Sequence, residues 1–532
     1  MDIIINILAF VFSLGIIVAL HELGHFFFAK RANILCHEYA VGMGPILWSK
    51  RKGETVYAIR AIPIGGFVSM AGEQIENALL SKGQTVGVNF EGDMVKEIIF
   101  DQAKKADKTI IVESFDLYDK NNEGLFIEGT DEGVMRFYSV KKDAFYVLTE
   151  KKSIQVAPYS RSFESRSLWQ RFLTIFGGPA MNFVLAFFIF IVVASIQGKP
   201  INSNKIDSVI PNNPAYLSGI QAGDRVKSID GVTISDWNGI GEALNTLIGK
   251  EEINVLVDRN GTELSILVNP RIDINAMGIS NFYKQTINDE IIYGVKPSDS
   301  GAVVGSSFGI ASKVLKTDDV IIGVKYMFDE SSRSYVINSW SDLADAIDKE
   351  VGGDAVITII RNGESNPIEV PLEIWEDGVL SSQGVAKIKT TLGISPDTKF
   401  DFGYAFISGF TGIGNSVNQV IAVIGLLFGG SDQISVSSLS GPVGIFNIVG
   451  QYAQQGFAAF LFFVGFLSVN IGVMNLLPIP ALDGGRLVFL GIEAITRKPL
   501  NRKVENTANN VMFILLMALF VYVTFFDIMR LF

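Results

Sequence analysis

The stretch IIINILAFVFSLGIIVALHELGHFFF, residues 3–28, decides the fold of the chain. Glu22 is the only charged residue in this stretch. An apolar run of roughly 18 or more residues with so few charges predicts a transmembrane helix. Near the end of the run, His21-Glu22-Leu23-Gly24-His25 forms the pattern H-E-x-x-H. The sequence therefore predicts a membrane helix that carries a metal-binding motif.

The H-E-x-x-H pattern predicts a catalytic zinc site. Residues four apart share one face of a helix, so the imidazoles of His21 and His25 can bind one Zn²⁺ ion. Glu22 is placed to take a proton from a water molecule whose pKa zinc lowers to about 7. The alternative is a chance match at a helix end. Ionisable groups within an apolar span are costly and usually functional, which favours the metal site.

Three further uncharged runs, at about 172–196, 457–477 and 511–526, bring the predicted number of spans to four. Asp2 stands where a signal peptide would carry basic residues, so we expect the first span to be retained. Lysine and arginine cluster at 30–52 and at 486–503. Because basic loops stay in the cytoplasm, this predicts that residues of about 197–456 lie outside.

Residues 404–430 are uncharged and long enough to span, but their first half is polar. This composition favours an amphipathic helix at the membrane interface, predicted at 401–430. A fifth span and a buried helix remain alternatives at this stage.

Two histidines leave zinc short of a ligand, and Asp483 in the run NLLPIPALDGG, residues 475–485, is the best remaining candidate. Pro478 and Pro480 cannot continue a regular helix, and open backbone at membrane depth is tolerated where it lines a cavity. Eighteen helical residues from Ile3 to His21 rise roughly 27 Å, which puts the histidines near the cytoplasmic side. Four spans put Asp483 on that side too. The alternative is a Pro/Gly loop with Asp483 as a helix cap.

H-E-x-x-H together with N-x-x-P-x-P-x-L-D-G resembles the site-2 protease family of intramembrane zinc metalloproteases, in its bacterial regulator of sigma-E protease group. The chain is most similar to the Gram-positive regulating anti-sigma factor proteases. The segments that carry this likeness are IGGFVSMAGE (64–73), IQVAPY (154–159), WQR (169–171), GGPAMN (177–182) and LSGPVGI (439–445). The likeness covers nearly all of the chain except about 277–400.

The resemblance implies that His21, His25 and Asp483 bind zinc and that Glu22 is the catalytic base. It also implies a set of substrate-binding residues: Asn470, Asn475, Pro478, Pro480, Gly65 and Gly66. Residues 31–73 match the family's membrane-associated β-hairpin region, whose strand edge can pair with an unwound substrate segment. The alternative for 57–70 is an ordinary cytoplasmic hairpin.

A pattern typical of PDZ domains follows the second span, at 203–272, and much of it recurs at 277–375. In the repeat, TDDVI (317–321) parallels AGDRV (222–226), INSW (337–340) parallels ISDW (234–237), and IRNG (360–363) parallels DRNG (258–261). The alternative is two structural β-domains that bind nothing. Short apolar stretches within 74–168 predict a small β-rich cytoplasmic insertion.

The predicted fold class is a multi-pass α-helical membrane protein with four transmembrane helices, two extracytoplasmic PDZ-like α+β domains and that insertion. The predicted segments are a first transmembrane helix with H-E-x-x-H (1–30), the β-hairpin region (31–73), the insertion (74–168), a second transmembrane helix (169–197), the PDZ-like domains (203–272 and 277–375), the interfacial helix (401–430), a third transmembrane helix with N-x-x-P-x-P-x-L-D-G (457–485) and a fourth (509–530).

The predicted function is regulated intramembrane proteolysis by a zinc endopeptidase. By the resemblance, its substrates are membrane proteins that another protease has already trimmed, such as anti-sigma factors, or signal-peptide remnants. It cuts their transmembrane segments in the bacterial plasma membrane.

The net charge of −11 argues against nucleic acid as a partner, and the single cysteine, Cys36, excludes an intrachain disulfide. One alternative function is a zinc-dependent lipid hydrolase, but PDZ-like domains bind polypeptides, which disfavours it. The other alternative is a non-catalytic membrane scaffold, which would not need Glu22 as a base beside zinc.

Overall fold

The computed structural model describes the chain except residues 1, 73–78, 102–103, 132, 150–151, 288–289, 299, 310, 329–330, 362–363, 365, 383–384, 429–439, 499 and 530–532. Parts of the motifs at 64–73, 360–363 and 439–445, and the ends of the helices predicted at 401–430 and 509–530, lie outside the described residues. The chain forms two compact units. The first comprises Met1–Phe190 with Ser440–Phe532, and the second comprises Ile191–Leu439.

Long apolar helices dominate the first unit. Its helices are α1 (Asp2–Arg31), α2 (Leu168–Gln197, which runs on into the second unit), α8 (Pro442–Gln454), α9 (Phe457–Leu476), α10 (Asp483–Thr496) and α11 (Arg502–Met529). Within the described chain, four helices are long and apolar enough to cross a membrane: Ile3–Arg31, Leu168–Gln197, Phe457–Leu476 and Lys503–Met529. They coincide with the four predicted spans.

The third predicted segment, 457–485, is not one helix. Helix α9 ends at Leu476, and α10 begins at Asp483 after a non-helical stretch. Pro478 and Pro480 lie in that stretch, because neither can donate the backbone hydrogen bond that a helix requires. The opening places Asp483 in the first turn of a new helix.

The hairpin region consists of β1 (Cys36–Lys52) and β2 (Thr55–Met70). Residues 38–41 of β1 pair on one side with 66–69 and on the other with 56–59, because β2 bends at its middle. Among the described residues, no further strand pairs with the segment 66–70, which therefore forms an edge. The base of this small sheet packs on α1 through a buried cluster that includes Ala29, Ile34 and Val68.

A six-stranded sheet occupies much of the region between β2 and α2. Its strands are β3 (Thr85–Glu91), β4 (Met94–Ile99), β5 (Lys108–Asp116), β6 (Phe126–Asp131), β7 (Val134–Thr149) and β8 (Lys152–Gln155). The order is β4-β3-β5-β6-β7-β8, and β4 also pairs with β7. Five strands therefore close on themselves around a core of alternating apolar residues that includes Val88, Ile98 and Ile110.

The second unit contains two similar sheets in succession. The first part has β9 (Lys199–Pro200), β10 (Ile206–Val209), α3 (Pro214–Leu217), β11 (Arg225–Ile229), β12 (Val232–Thr233), α4 (Trp237–Thr246), β13 (Ile253–Arg259) and β14 (Thr262–Val268). Its sheet order is β12-β11-β13-β14. Strand alternation buries Val226, Val255 and Val257 in one core.

The next part repeats this plan. Its elements are β15 (Arg271–Ile274), β16 (Ile279–Ser280), β17 (Phe282–Ile287), β18 (Glu290–Val295), β19 (Ala302–Val303), β20 (Ser306–Ser307), β21 (Val320–Phe328), β22 (Ser331–Val336), α5 (Trp340–Lys349), β23 (Gly353–Ile360), β24 (Ile368–Ile374) and α6 (Asp377–Ser382). Strands β19-β21-β23-β24 form the main sheet, with β22 on β21. Its core surrounds the fully buried Trp340.

The two parts share a buried ion pair at matching sequence positions. Arg259 donates to both carboxylate oxygens of Asp224 at 2.8 and 2.7 Å, and Arg361 does the same to Asp319 at the same distances. Both aspartate side chains are 1% exposed. The repeated sequence thus corresponds to a repeated structure.

Strands that follow the second part complete both parts. Strand β25 (Ile388–Thr391) pairs with β15 of the second part, whereas β26 (Ile394–Pro396) pairs with β10 and β27 (Thr398–Lys399) pairs with β9 of the first part. Leu392 is buried in the core of the first part. The boundary predicted at residue 272 therefore does not enclose a complete folded body: the second part is inserted into the first. Helix α7 (Phe402–Phe428) follows β27 and, in the described chain, is not among the four candidate spans.

Candidate metal centre and active site

Three potential ligand atoms converge inside the first unit. His21 Nε2 lies 3.3 Å from Asp483 Oδ2, and His25 Nε2 lies 3.4 Å from the same oxygen. The two Nε2 atoms are 3.2 Å apart. The three side chains are only 10–13% exposed. The structure thus brings together the two residues of H-E-x-x-H and the aspartate, although more than 450 positions separate them in the sequence.

The size of this triangle fits a zinc ion. Zinc holds imidazole nitrogen and carboxylate oxygen at about 2.0–2.1 Å with tetrahedral angles, which sets ligand atoms roughly 3.4 Å apart. The observed separations of 3.2–3.4 Å agree with that value. Three protein ligands leave a fourth position for water or substrate, as catalytic zinc sites do.

Glycines at the crossing of α1 and α2 set the position of the histidines. A Cβ atom at Gly24 would lie 2.0 Å from the carbonyl oxygen of Gly177, and one at Gly178 would lie 2.2 Å from His25 Nε2. The two helices can approach this closely only because these side chains are absent, as small residues allow in membrane helix pairs. The GGPAMN segment therefore serves to bring α2 against the H-E-x-x-H face.

Both imidazoles also contact α2 through their second ring nitrogen. His25 Nδ1 lies 2.8 Å from the carbonyl oxygen of Thr174. His21 Nδ1 lies 3.2 Å from the side-chain amide of Asn182. Sequence reasoning did not assign these contacts, although a buried asparagine in an otherwise apolar span is a signal of function.

The loop between α9 and α10 is held in the shape that presents Asp483. Ala481 adopts a φ of 71°, a left-handed conformation that is uncommon for residues other than glycine. Its backbone N–H donates to the side chain of Asn509 in α11 at 3.0 Å. A Cβ atom at Gly484 would lie 2.1 Å from the carbonyl oxygen of Leu477, so the turn into α10 requires glycine there.

Ion pairs tie the surrounding elements together. Arg171 of α2 donates to both carboxylate oxygens of Glu493 in α10 at 2.9 and 2.8 Å. Glu54, at the hairpin turn, accepts from Arg161 and Lys30. Burial alone would raise the pKa of Glu54, but these hydrogen bonds and positive charges hold it below its usual value.

A cavity of about 520 Å³ opens onto the three ligand atoms. His21, Glu22, His25 and Asp483 line it. Of the residues expected to bind substrate, Gly65, Gly66 and Asn475 line the cavity, whereas Asn470, Pro478 and Pro480 are not among its lining residues. Met43 and Arg486, which sequence reasoning did not single out, also line it.

Glu22 is buried beside the cavity, and β2 approaches it closely. A Cβ atom at position 66 would lie 2.9 Å from Glu22 Cγ, so Gly66 lets the strand pass next to this carboxylate. The Tyr39 hydroxyl donates to the carbonyl oxygen of Ala19 at 2.6 Å. Burial, with a contribution from the negative charge of Glu22, raises the pKa of Tyr39 to about 12.

Comparison with known proteins identifies the family. The model of peptidase family M50 matches residues 9–519. The zinc metalloproteases RasP of Bacillus licheniformis and of Oceanobacillus iheyensis are each 32% identical, with 99% of both chains covered. The regulator of sigma-W protease RasP of Bacillus subtilis is also 32% identical over 99% of both chains. Taken with the apolar helices and the convergent ligand atoms, these matches establish that the chain belongs to peptidase family M50, the site-2 protease family, and is a zinc metalloprotease of the membrane.

Proposed function

We propose that this protein is an intramembrane endopeptidase in which His21, His25 and Asp483 bind the zinc ion. The observation that carries the proposal is the triangle of ligand atoms with sides of 3.2–3.4 Å, formed by α1 and the first turn of α10. Its dimensions suit tetrahedral zinc, and the helix that supplies both histidines is one of the four candidate spans.

Glu22 is the proposed general base. Zinc supplies a water molecule with a pKa near 7 and polarises the carbonyl group of the scissile bond. Glu22 lines the same cavity and follows His21 directly, so its carboxylate can accept the proton of the attacking water and return it to the leaving amine. The protonated Tyr39 nearby adds no competing negative charge.

The edge segment 66–70 is the proposed docking strand for the substrate. Gly66, Phe67, Val68 and Met70 line the cavity that contains the ligand atoms. A transmembrane substrate must unwind before its peptide bonds can be cut, and an unpaired strand edge supplies backbone hydrogen bonds to the opened segment. Asn475 of α9 also lines the cavity. Roles for Asn470, Pro478 and Pro480 stay predictions.

The proposed substrates are single-span membrane proteins already trimmed by another protease, such as anti-sigma factors, and signal-peptide remnants. The name of the Bacillus subtilis relative, regulator of sigma-W protease, supports this class. The proposed site of action is the bacterial plasma membrane, with the metal centre near the cytoplasmic side. The two repeated bodies of the second unit are proposed to be extracytoplasmic PDZ-like domains, and the closed sheet of 85–155 the cytoplasmic insertion.

The direct test is the Glu22→Gln variant, purified and assayed beside the wild type on a single-span model substrate. The amide keeps the shape of the side chain but cannot accept a proton, so cleavage is expected to fall by roughly 10²–10⁴-fold or more while zinc content stays unchanged. Glu113→Gln, which changes a partly exposed carboxylate in β5, is the matched control and should cleave normally. Cleavage by Glu22→Gln at near wild-type rate would remove Glu22 from the mechanism.

A further inference from the structure

Asn182 is a fully buried amide in the middle of α2. Its Nδ2 atom lies 3.2 Å from His21 Nδ1, and its Oδ1 atom is buried with no hydrogen-bond partner among the described residues. A buried polar side chain in an apolar span is costly and usually functional. The contact with His21 gives this amide a function beside the metal centre.

The zinc ligand role of His21 fixes where its ring hydrogen must be. An imidazole that binds zinc through Nε2 is neutral and carries its hydrogen on Nδ1. That Nδ1–H group is a donor, so it requires an acceptor, and the NH₂ group of an asparagine is not one. Exchanging the nearly equivalent amide oxygen and nitrogen by rotation puts Oδ1 toward His21. In the zinc-bound protein the amide carbonyl therefore accepts from Nδ1–H.

His25 shows the same arrangement with a different acceptor. Its Nδ1 atom faces the backbone carbonyl of Thr174 at 2.8 Å. Thr174 and Asn182 are eight residues apart, about two turns of α2, so they lie on one face of that helix. The face meets the H-E-x-x-H side of α1. Since the Thr174 carbonyl belongs to the helix backbone, His21 is the ligand whose orientation depends on a replaceable side chain.

Helix α9 holds Asn182 in place. Ser468 Oγ donates to the backbone carbonyl of Asn182 at 2.9 Å. A Cβ atom at Gly472 would lie 3.3 Å from Asn182 Cβ, so α9 closes over this residue with little free space. The asparagine is thus confined on the side away from His21.

We infer that Asn182 is a positioning residue for the metal centre, whose side-chain carbonyl fixes the ring orientation and tautomer of His21. The inference rests on the proposed ligand set. Hydrogen-bond partners of metal-binding histidines typically change metal affinity by roughly 10–100-fold when removed.

The test measures zinc affinity of the full-length protein in detergent micelles by competition with a chelator. Asn182→Leu, which has no acceptor, is expected to weaken zinc binding by roughly 10–100-fold. Asn182→Asp, whose carboxylate accepts from Nδ1–H, is expected to stay within a few-fold of the wild type. Ser195→Ala is the matched control, because it removes a side-chain hydrogen bond to Ile191 in the same helix but away from His21 and Asn182, and its zinc affinity should not change. The Co²⁺ absorption spectrum should shift for Asn182→Leu and not for Asn182→Asp.

Two results would overturn the inference: wild-type zinc affinity in Asn182→Leu, or equal weakening in Asn182→Asp and Asn182→Leu. If Asn182→Leu does not fold, Asn182→Ala, which is smaller, takes its place in the same comparison. His21→Ala and Asp483→Ala are measured in parallel. If these two variants keep tight zinc, the ligand set itself is wrong; if they lose zinc and Asn182→Leu does not, only the role of Asn182 is wrong.

Discussion

The first and second units both bury carboxylates, but the partners of those carboxylates differ. In the second unit, Asp224 and Asp319 each face an arginine that donates to both of their oxygens. Burial alone would raise the pKa of Asp224, yet the Arg259 guanidinium and the backbone N–H of Gln221 hold it below its usual value. In the first unit, Asp483 faces two imidazoles. In contrast to the arginine pairs, the positive charge beside Asp483 is supplied when a metal ion binds.

This difference separates a structural carboxylate from one that can bind a ligand. In each arginine pair, both carboxylate oxygens already accept hydrogen bonds from the arginine. The pairs therefore stabilise the fold and leave no oxygen available to bind a ligand. The cluster around Asp483 has the right ligand atoms and spacing for a cation, and its ion-pair partners in the described part of the chain are the two histidines. Burial and charge alone would not have told the two kinds of site apart, since both kinds of carboxylate are at most 13% exposed.

The sharpest test of the comparison replaces one aspartate of each kind by alanine. Asp483→Ala is expected to lose tight zinc and reduce cleavage to background, because a ligand is removed and the helices that hold the histidines remain. Asp224→Ala is expected to keep wild-type zinc content. Elemental analysis of both purified variants decides the matter. Full, tight zinc occupancy in Asp483→Ala would exclude it as a ligand.

A second test removes most of the second unit. Strands β9 and β27 pair Pro200 with Thr398, and paired strands place such residues about 5 Å apart. Deleting 201–397 with a linker of a few glycines should therefore leave the ends undistorted. On the hypothesis that the second unit acts as a gate against bulky substrates, we predict that the shortened protein cuts substrate that still carries its folded ectodomain.

The contrasting idea is that PDZ-like grooves capture the new C-terminus of trimmed substrate. In that case the same deletion should abolish cleavage of trimmed substrate. The control is a deletion variant that also carries Glu22→Gln, which should cut neither form. Intact substrate that stays uncut by a stably folded deletion variant would refute the gate.

The arginine pairs themselves predict a stability effect. Each substitution removes two charge-assisted hydrogen bonds to an arginine that is itself 23–24% exposed, so Asp224→Ala or Asp319→Ala should destabilise its own part by about 1.5–3 kcal/mol. Hydrogen exchange on the full-length variants reports this, with faster exchange expected in the affected sheet. Asp207→Ala, at an exposed position of β10 in the first part, is the control. Unchanged exchange in both parts would show that the pairs are not structural.

The smallest expected effect concerns Glu54. Because its pKa is lower in the folded protein than its ordinary value of 4.5, its ionised form favours folding. That contribution is present above pH 4.5 and is lost as the pH falls through the lower folded value. We expect at most about 1 kcal/mol, since the pairs with Lys30 and Arg161 are partly exposed. The unfolding temperatures of Glu54→Gln and wild type should differ at pH 7, and the difference should shrink as the pH falls below 4.5; a difference that grows toward low pH would contradict this.

Local patterns in the sequence were enough to predict the spans, the family, the enzyme class and zinc. Each of these predictions depends on a run of apolar residues or on a motif of a few positions. Residues four apart in a helix, such as His21 and His25, lie on one face, so the spacing in the sequence is enough to predict that they can meet. The ligand set stays a proposal, although the structure brings His21, His25 and Asp483 together. The sequence also indicated the repeat in the second unit, although the arginine pairs within it were not predicted.

Pairings between distant residues could not be predicted. Nothing in the sequence near Ile206 indicates that its strand pairs with 394–396, because strand alternation specifies a face and not a partner. The contact of Asn182 with His21 is hidden for the same reason. The left-handed backbone of Ala481 is also unexpected, since the surrounding loop and Asn509 impose it.

The late pairing of β26 with β10 constrains the order in which the chain can fold. The ribosome makes β10 first, but its partner is available only after residues 210–393 have been synthesised. At roughly 5–20 residues per second, that interval is on the order of ten to forty seconds. Meanwhile the second part can close its main sheet β19-β21-β23-β24 from contiguous sequence. The part that is earlier in the sequence is therefore completed later. In a nascent chain that stops at residue 375, the edge of β10 and the core site that Leu392 later fills are accessible to chaperones and proteases.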